Sequence, residues 1–393
     1  MELFSQNENG RVLVKLPDTI NTTNAVEVEN SINEQLAKYD NISSLVLDAS
    51  ILQYISSVGL RIVLKLKQTY DDLTVIDASS SVYEIFEMTG FTDMMNIKKA
   101  LRRVSIEGCP VIGEGFYGRV YRLSPDTIVK VYFRGGDEQN VVRERLLAKT
   151  AFVLGIPTAI SYDIVKVNEK GKECFGSVFE LLDCASLRDL IRDNPDKLDE
   201  YIKMHSDLLK KIGSTEVLSK DLPNAKDACK EWLSSVQGVL APEVFDKLTK
   251  LITTIPDSNY MVHGDCHVKN ILVQNGEPLL IDMDTLAKGH CIFDIMAFYL
   301  SYIAYELTEP GNTKSFLGLE KETCDKLYAG IFHNLFGDRS QKEQEEIQFK
   351  VETLGFLLLL YRTLIYYPDD MDRRNLCIDK ISHHVKVLDT LNF

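Results

Sequence analysis

The feature that most constrains the fold is a change in residue pattern near Val104. Before it, short runs that alternate like strands are interleaved with helical spacing, as in Arg11–Leu16 followed by Ala25–Tyr39. Alternation of strands and helices builds an α/β layer. After it comes a glycine-rich sequence that is followed by β-branched residues. Beyond Ser186 nearly all of the chain has helical spacing. The pattern therefore predicts an α/β domain followed by an α+β domain.

The length supports this division, because 393 residues suit two or three domains better than one. We expect the first domain over 1–102 and the second over 103–393. The second domain is expected to be bilobal, with a small β-rich lobe at 103–183 and a helical lobe at 184–393.

Composition excludes several classes of protein. The formal net charge of -14 leaves no basic surface for a nucleic-acid partner. The eight cysteines form no C-x-x-C pair, so we expect reduced thiols and no zinc site. The most apolar stretches, Ile295–Tyr305 and Thr353–Tyr361, are short of the roughly 20 residues that span a bilayer. The opening residues do not have the pattern of a signal peptide. We expect a cytoplasmic protein without a membrane partner.

Three glycines with the spacing of a phosphate-binding loop, Gly113, Gly115 and Gly118, follow the change in pattern. A dinucleotide-binding fold uses the same spacing, but there the glycines open a helix. Here a strand-forming run, Arg119–Tyr121, comes next, which favours a hairpin over phosphates. Glycine lets backbone amides approach phosphate oxygens without a Cβ in the way.

Lys130 lies in the centre of an apolar, strand-like run, Ile128–Tyr132. An ammonium among apolar side chains is costly unless it has a partner. Glu144, in the next helical segment, is the candidate partner, and the pair would direct the ammonium toward ATP phosphates. Taken alone, Lys130 would suit an ordinary edge strand. The glycine loop before it and Glu144 after it favour the phosphate site.

The segment His263–Asn270 (HGDCHVKN) and the later Ile281–Asp284 (IDMD) carry the most information in the chain. Phosphoryl transfer needs a carboxylate that orients or deprotonates the acceptor hydroxyl, and oxygen ligands for magnesium. Asp265 supplies the first. Asn270 and Asp282 supply oxygen ligands from two loops that a hairpin between them would bring together.

This segment resembles the catalytic signature of the aminoglycoside phosphotransferase and choline kinase families. These families share the protein-kinase fold but have HGD where protein kinases have HRD. The resemblance covers about residues 105–300. It implies ATP and Mg²⁺ as cofactors, Asp265 as the catalytic base, Asn270 and Asp282 as magnesium ligands, and Asp294 as a structural aspartate.

The resemblance also implies a hinge, in which backbone groups of Glu180 and Leu182 would bind adenine. The interval between Asp282 and Asp294 argues against a protein kinase. It contains only eleven residues, which is too short for an activation loop, and no A-P-E sequence occurs.

The run Leu45–Leu60 (LVLDASILQYISSVGL) resembles the STAS domain of anti-sigma-factor antagonists. In that family a strand ends in an aspartate, and a helix then begins at a sequence whose first serine is phosphorylated. Ser57 matches that serine, and Ser56 stands where the family usually has an aspartate. The resemblance implies a domain for regulation or for docking a protein partner, with Ser57 as the candidate phosphosite. The simpler alternative is that one of the two serines only caps the helix.

Three hypotheses follow for the whole chain. The leading one is an enzyme that transfers the γ-phosphoryl group of ATP to a hydroxyl of a small-molecule acceptor. The second is a protein serine/threonine kinase in a partner-switching pathway, which the STAS-like domain favours and the short Asp282–Asp294 interval opposes. The third is a nucleotide-sensing pseudokinase, which the intact catalytic positions oppose. The sequence does not distinguish ATP from GTP, and it does not identify the acceptor.

Overall fold

A computed structural model of the chain describes residues 5–8, 10–115, 118–133, 136–218 and 222–387. The chain forms two compact units, one of Met1–Ser105 with Val165–Asn168 and one of Ile106–Ile164 with Glu169–Phe393. Phe116 and Tyr117, the variable positions inside the glycine motif, lie outside the described residues.

Up to Ser105, the described residues of the first unit form eight strands and three α-helices. They are β1 (Ser5–Glu8), β2 (Arg11–Lys15), β3 (Thr19–Ile20), α1 (Ala25–Leu36), β4 (Ser44–Asp48), β5 (Tyr54–Ile55), α2 (Ser57–Thr69), β6 (Leu73–Ala78), α3 (Ser80–Met88), β7 (Asn96–Lys99) and β8 (Arg102–Val104). Five of the strands form a sheet in the order β1-β2-β4-β6-β7. Strands β2, β4, β6 and β7 are parallel, and β1 is antiparallel to β2.

Residue periodicity explains this sheet and its helices. In β2, Val12 and Val14 point to one face and are fully buried, as alternation along a strand requires. In α1, Val28 and Ile32 lie one turn apart and are buried in the same core. The predicted α/β layer is confirmed, and its strand–helix order follows from these local patterns.

The second unit contains the remaining strands and helices, except that the middle of the strand Asp163–Glu169, Val165–Asn168, belongs to the first unit. They are β9 (Val111–Glu114), β10 (Gly118–Ser124), β11 (Thr127–Tyr132), α4 (Glu138–Val153), β12 (Asp163–Glu169), β13 (Lys172–Glu180), β14 (Ala185–Ser186), α5 (Leu187–Asp193), α6 (Leu198–Ser214), α7 (Ala225–Ser235), α8 (Pro242–Thr254), β15 (Met261–Val262), β16 (Ile271–Gln274), β17 (Glu277–Leu280), β18 (Ala287–Lys288), α9 (Ile292–Tyr299), α10 (Tyr305–Thr308), α11 (Lys321–Phe336), α12 (Gln341–Tyr366) and α13 (Met371–Val387). A small β-rich part is followed by a large helical part, which is the predicted bilobal α+β arrangement.

The predicted hairpin after the glycine motif is present as β10 and β11. The two strands are antiparallel, with Gly118 opposite Tyr132. β13 pairs with the other edge of β11, so Lys130 lies opposite Ser177 in a central strand. A Cβ on Gly118 would lie 2.2 Å from the carbonyl oxygen of Val131. Close strand packing therefore requires this glycine, in addition to any need to approach phosphates.

The two apolar stretches are buried in the helical part. Ile295–Tyr305 is observed as α9 continuing into a π-helical segment, Leu300–Ala304, and Thr353–Tyr361 lies within α12. Phe298, Tyr302 and Phe356 are among the largest fully buried side chains. Across the stretches of chain that the structure describes, none of the helices is both long and apolar enough to cross a lipid bilayer.

Candidate active site

Two neighbouring cavities in the second unit meet at Lys130. The first has a volume of about 380 Å³ and the second about 340 Å³. Lys130, Tyr132, Glu144 and Asp282 line both cavities, whereas Asp265 lines only the second. Three of the sequence-predicted residues, Lys130, Glu144 and Asp282, therefore lie on the wall that the two cavities share.

Lys130 is paired with two carboxylates. Its Nζ donates to Glu144 Oε1 at 2.9 Å and also to Asp282 Oδ1. Burial by itself lowers the pKa of this ammonium, but the neighbouring carboxylates outweigh that effect and raise the pKa well above its usual value. Burial likewise opposes the charged form of Asp282, and Lys130 reverses this and lowers its pKa. Both groups are charged near neutral pH.

The catalytic loop, His263–Asn270, orients Asp265 by hydrogen bonds from the side chain of Asn270. The Nδ2 group of Asn270 donates to Asp265 Oδ2 at 3.1 Å and to the Asp265 carbonyl at 3.0 Å. His267 Nε2 lies 3.7 Å from the same Oδ2 atom. The Asp265 carboxylate is partly exposed to the second cavity, so one side is held by the loop and the other faces open space.

A buried aspartate anchors the start of this loop. Asp294, at the beginning of α9, is 3% exposed, and its Oδ1 accepts from the Gly264 amide at 2.7 Å. Burial raises the pKa of Asp294 to about 7. Gly264 has φ of 79°, and a Cβ there would lie 3.2 Å from the Thr285 carbonyl oxygen. Only glycine therefore suits this position without strain.

The hairpin of β16 and β17 joins the two loops, as predicted. Its turn is Asn275-Gly276, and both residues have positive φ, 53° and 84°, as a tight two-residue hairpin turn requires. At the open end, the Ile281 amide donates to the Asn270 carbonyl at 3.0 Å. This bond places Asn270 beside Asp282, which itself adopts the left-handed region at φ 59°.

Asp284 lies two residues after Asp282 and lines the second cavity. Burial, together with the negative charges of Asp282 and Glu144, raises its pKa to about 7. Carboxyl groups with strongly displaced pKa values cluster at functional sites because the same crowding of charge serves catalysis.

Two residues that the sequence did not single out form hydrogen bonds with the backbone of the catalytic loop. His205 of α6 is fully buried, and its Nε2 donates to the Cys266 carbonyl at 2.8 Å. Tyr302, in the π-helical segment, accepts from the Val268 amide at 3.1 Å. Each is far from the loop in sequence, and an isolated His or Tyr on a helix gives no signal of such a contact. Irregular helical turns of this kind are frequent near functional sites.

The first cavity has apolar walls and one polar end. Ile112, Val120, Ile128, Ala148 and Leu272 contribute to the walls. The residues of the predicted hinge, Glu180 and Leu182, line the same cavity, as do the charged residues Lys130 and Asp282. Its volume lies within the range of about 300–1,000 Å³ for small-molecule sites.

The predicted glycine loop lies beside both cavities. Gly113 lines the first and Gly115 the second. A Cβ at Gly115 would meet no atom within 4 Å. The described residues around Gly115 would therefore tolerate a Cβ there, whereas Gly118 is packed against β11.

The oxygen donors at Asn270 and Asp282 fit magnesium bound together with nucleotide phosphates. The Nδ2 group of Asn270 donates to Asp265, which leaves the Oδ1 atom of Asn270 as a possible metal ligand. Magnesium prefers oxygen ligands and is often bound by one or two protein groups plus substrate phosphates. Within the described residues, no group of three or more His, Cys, Asp or Glu side chains suits a metal ion.

Ser57 belongs to the first unit. It is the exposed first residue of α2, and Ser56 occupies the N-cap position without a capping hydrogen bond from its side chain. The Ser56 Oγ atom is buried and has no hydrogen-bond partner among the residues that the structure describes. The simpler alternative, that the Ser56 side chain caps the helix, is therefore not what the structure shows.

Comparison with known proteins agrees with both units. The STAS domain family matches residues 5–104, and the family described as "Phosphotransferase enzyme family" matches residues 108–313. Over 101 residues the chain is 32% identical to BtrV of Bordetella bronchiseptica, a protein described as an anti-sigma factor antagonist. That match covers 25% of this chain and 85% of the Bordetella protein.

Solved structures share the fold of the second unit. A thermostable mutant of aminoglycoside phosphotransferase APH(4)-Ia without ligands gives a TM-score of 0.50 at 12% identity, covering 72% of this chain and 95% of that one. A ternary complex of an APH(4)-Ia variant with AMP-PNP and hygromycin B gives 0.51 at 13% identity, with coverage of 72% and 94%. At these identities the likeness shows a common fold.

The family assignment rests on extent as well as on the site. The phosphotransferase match covers more than half of the 393 residues and includes the whole segment that surrounds Asp265 and Asp282. The chain belongs to the phosphotransferase enzyme family, and it is a kinase-type phosphotransferase with an N-terminal STAS domain.

Proposed function

We propose that residues 103–393 transfer the γ-phosphoryl group of ATP, with magnesium, to a hydroxyl group of a small molecule. The observation that carries this proposal is the position of the Lys130–Glu144–Asp282 cluster on the wall shared by two cavities, with Asp265 on the second alone. One cavity suits a nucleotide and the other suits an acceptor, so the groups that meet between them are those that phosphoryl transfer needs.

In this proposal Asp265 is the base. Asn270 holds its Oδ2 atom, which leaves Oδ1 to accept the hydrogen bond of the acceptor hydroxyl. The hydroxyl oxygen forms its bond to the γ-phosphorus as the bond between that phosphorus and the ADP oxygen breaks, and the hydroxyl proton passes to Asp265.

Lys130 positions and neutralises the phosphates. Glu144 Oε1 accepts from the Lys130 ammonium at 2.9 Å and so holds it on the wall that the two cavities share. The positive charge is therefore in place before the reaction and need not move during it. Asn270 and Asp282 would bind magnesium, which neutralises negative charge on the phosphates. Backbone groups of Glu180 and Leu182 would bind the base at the rim of the first cavity.

The STAS domain, residues 1–102, is proposed to dock a protein partner, and Ser57 is proposed to be its phosphorylation site. Its support is the match to a protein described as an anti-sigma factor antagonist and the exposure of Ser57 at the start of α2. A phosphate at a helix N-terminus is favoured by the backbone amides and the helix dipole.

Mass spectrometry tests the role of Ser57. We expect a phosphate on Ser57 in protein purified from its native cells or after incubation with ATP and magnesium. Ser81, another exposed serine in the first turn of a helix, is the matched control and should remain unmodified. Absence of phosphate on Ser57 under both conditions would remove this part of the proposal.

Steady-state ADP formation tests the enzymatic proposal. The full chain is assayed with ATP and magnesium against aminoglycosides, choline, amino alcohols and sugars, with Asp265→Asn as the control because it keeps the shape and removes the base. We expect turnover that depends on one acceptor class and is lost in the variant. Nucleotide binding without turnover on any acceptor would contradict transfer to a small molecule and would favour the protein-kinase or pseudokinase hypothesis.

A further inference from the structure

The second cavity is lined by charged residues of both signs. Its acidic lining consists of Glu144, Asp265, Asp282 and Asp284, and its basic lining consists of Lys130, Arg143 and Arg362. Glu144 and Asp282 bind Lys130, and Asp265 is held by Asn270 as the base. The two arginines are cationic groups that the transfer chemistry above does not use.

A polycationic acceptor would need carboxylates beyond those that serve catalysis. Only Asp284 is left for this role among the described residues that line the cavity. The acidic segment Asp369–Asp372 follows α12, but it does not line the cavity. Asp370 there pairs with Arg373 at 3.3 Å instead. The charge pattern therefore disfavours a cationic acceptor.

Arg362 is placed to bind an anion. It lies near the end of α12, it is half-buried, and its Nη1 donates to the Tyr305 hydroxyl at 2.9 Å. That bond fixes the orientation of a planar guanidinium whose forked donors match carboxylate and phosphate oxygens. Arg143 is exposed on α4 and lines the same cavity. In the part of the chain that the structure describes, it forms no ion pair.

The cavity is also small. Its volume of about 340 Å³ is at the lower end of the usual range for ligand sites, about 300–1,000 Å³, and part of it must take the transferred phosphoryl group. An acceptor of a few carbon atoms fits this space, whereas a multi-ring aminoglycoside would have to extend beyond it.

We propose that the acceptor is a small hydroxy compound bearing a phosphate or carboxylate group, and that Arg362 binds this anion while Asp265 binds the hydroxyl. Arg143 supplies a second cationic contact from α4, and Tyr305 positions Arg362. This inference rests on the proposed function, because it assigns the second cavity to the acceptor.

The test compares four three-carbon alcohols that differ mainly in charge: glycerol 3-phosphate, glycerate, glycerol and 3-amino-1,2-propanediol. Their binding to the full chain saturated with AMP-PNP and magnesium is measured by calorimetry, and their turnover is measured with ATP. We expect an anionic member to bind at least about tenfold more tightly than glycerol, and the amine to bind least. The phosphate and carboxylate arms show which anion is preferred.

Variants of Arg362 make the test specific. Arg362→Gln should weaken binding of the anionic member at least about tenfold, whereas its affinity for glycerol stays the same. Arg362→Lys should restore part of the anion preference, and Tyr305→Phe should give an intermediate loss if Arg362→Gln does not fold. Arg339→Gln, the same change at an exposed position outside the cavity, is the matched control and should have no effect.

The outcomes separate this inference from the function on which it rests. Tighter binding of the amine, absence of anion binding, or equal anion binding by Arg362→Gln would overturn the assignment of an anionic acceptor while leaving phosphoryl transfer intact. Failure of AMP-PNP itself to bind would instead contradict the proposed function, and this inference with it.

Discussion

At the scale of single residues, the site depends on buried charged side chains that compensate one another. Lys130 lies between Val129 and Val131, which are fully buried, and its ammonium is compensated by Glu144 and Asp282. The sequence predicted the pair with Glu144 because a lysine in an apolar strand needs a partner. It did not predict the bond to Asp282, since that contact joins residues from the two lobes.

Replacing Lys130 by Met should lower activity far more than stability. The change keeps the length of the side chain but leaves the Glu144 and Asp282 carboxylates beside the phosphates without a cation. We expect kcat/KM for ATP to fall by about 10²–10³, the range typical for loss of one preorganised charge contact. Kinetics over a range of ATP concentrations measures this. A change of less than about threefold would show that Lys130 does not contact the phosphates.

Gly264→Ala should destabilise the catalytic loop. The residue has φ of 79°, and a Cβ would lie 3.2 Å from the Thr285 carbonyl oxygen. We expect a loss of about 1–3 kcal/mol in the free energy of unfolding, measured in urea, together with loss of turnover.

Gly276→Ala is the matched control for this change. Gly276 has a similar φ of 84° in the β16–β17 turn, but a Cβ there would meet no atom within 4 Å. We expect a smaller loss of about 1 kcal/mol from backbone strain alone. Equal losses for the two variants would contradict the role of the Thr285 contact.

At the scale of secondary-structure elements, the sequence predicted what local signals determine. The segment that contains Glu144 was expected to be helical and is observed as α4, Glu138–Val153, and the hairpin expected between Asn270 and Asp282 is present as β16 and β17. The supports of the catalytic loop could not be found in this way. His205 and Tyr302 come from α6 and from a π-helical segment, and their contacts with the loop arise from long-range packing. The position of Arg362 of α12 on the wall of the second cavity also results from long-range packing, and the sequence did not predict it.

The contribution of His205, which joins α6 to the catalytic loop, to the free energy of unfolding should depend on pH. Burial lowers the pKa of His205 to about 4, against 6.5 in the unfolded chain. Because the unfolded state binds a proton that the folded state excludes, stability falls as pH decreases from 6.5 to 4, by about 3 kcal/mol in total for this group. Asp294, whose pKa is raised, acts in the opposite sense, so the effect is best seen as a difference between variants.

Denaturant unfolding of the wild type and of His205→Asn at several pH values tests this. We expect the stability advantage of the wild type to be greatest above pH 6.5 and to decrease toward pH 4. A difference that stays constant over this range would show that His205 titrates equally in both states.

At the scale of the whole molecule, two units with separate cores share one chain. Phe86 is fully buried in the core of the first unit, and Phe298 is fully buried in the core of the second. The change of pattern near Val104 was sufficient to predict this division, because each half has its own periodic apolar residues.

Truncating each phenylalanine should affect its own unit. Phe86→Ala and Phe298→Ala should each cost about 3–5 kcal/mol. Hydrogen exchange measured by mass spectrometry should then show faster exchange in the first unit for Phe86→Ala and in the second for Phe298→Ala. Equal acceleration in both units by either variant would contradict separate cores.

The central claim is that the second unit moves a phosphoryl group from ATP to an acceptor hydroxyl with Asp265 as base. The most direct measurement is the mass of the acceptor after incubation with the full chain, ATP and magnesium. The account predicts an acceptor heavier by one phosphoryl group with the wild type and unchanged with Asp265→Asn. ADP and inorganic phosphate beside an unmodified acceptor, or phosphorylation that persists in Asp265→Asn, would contradict it.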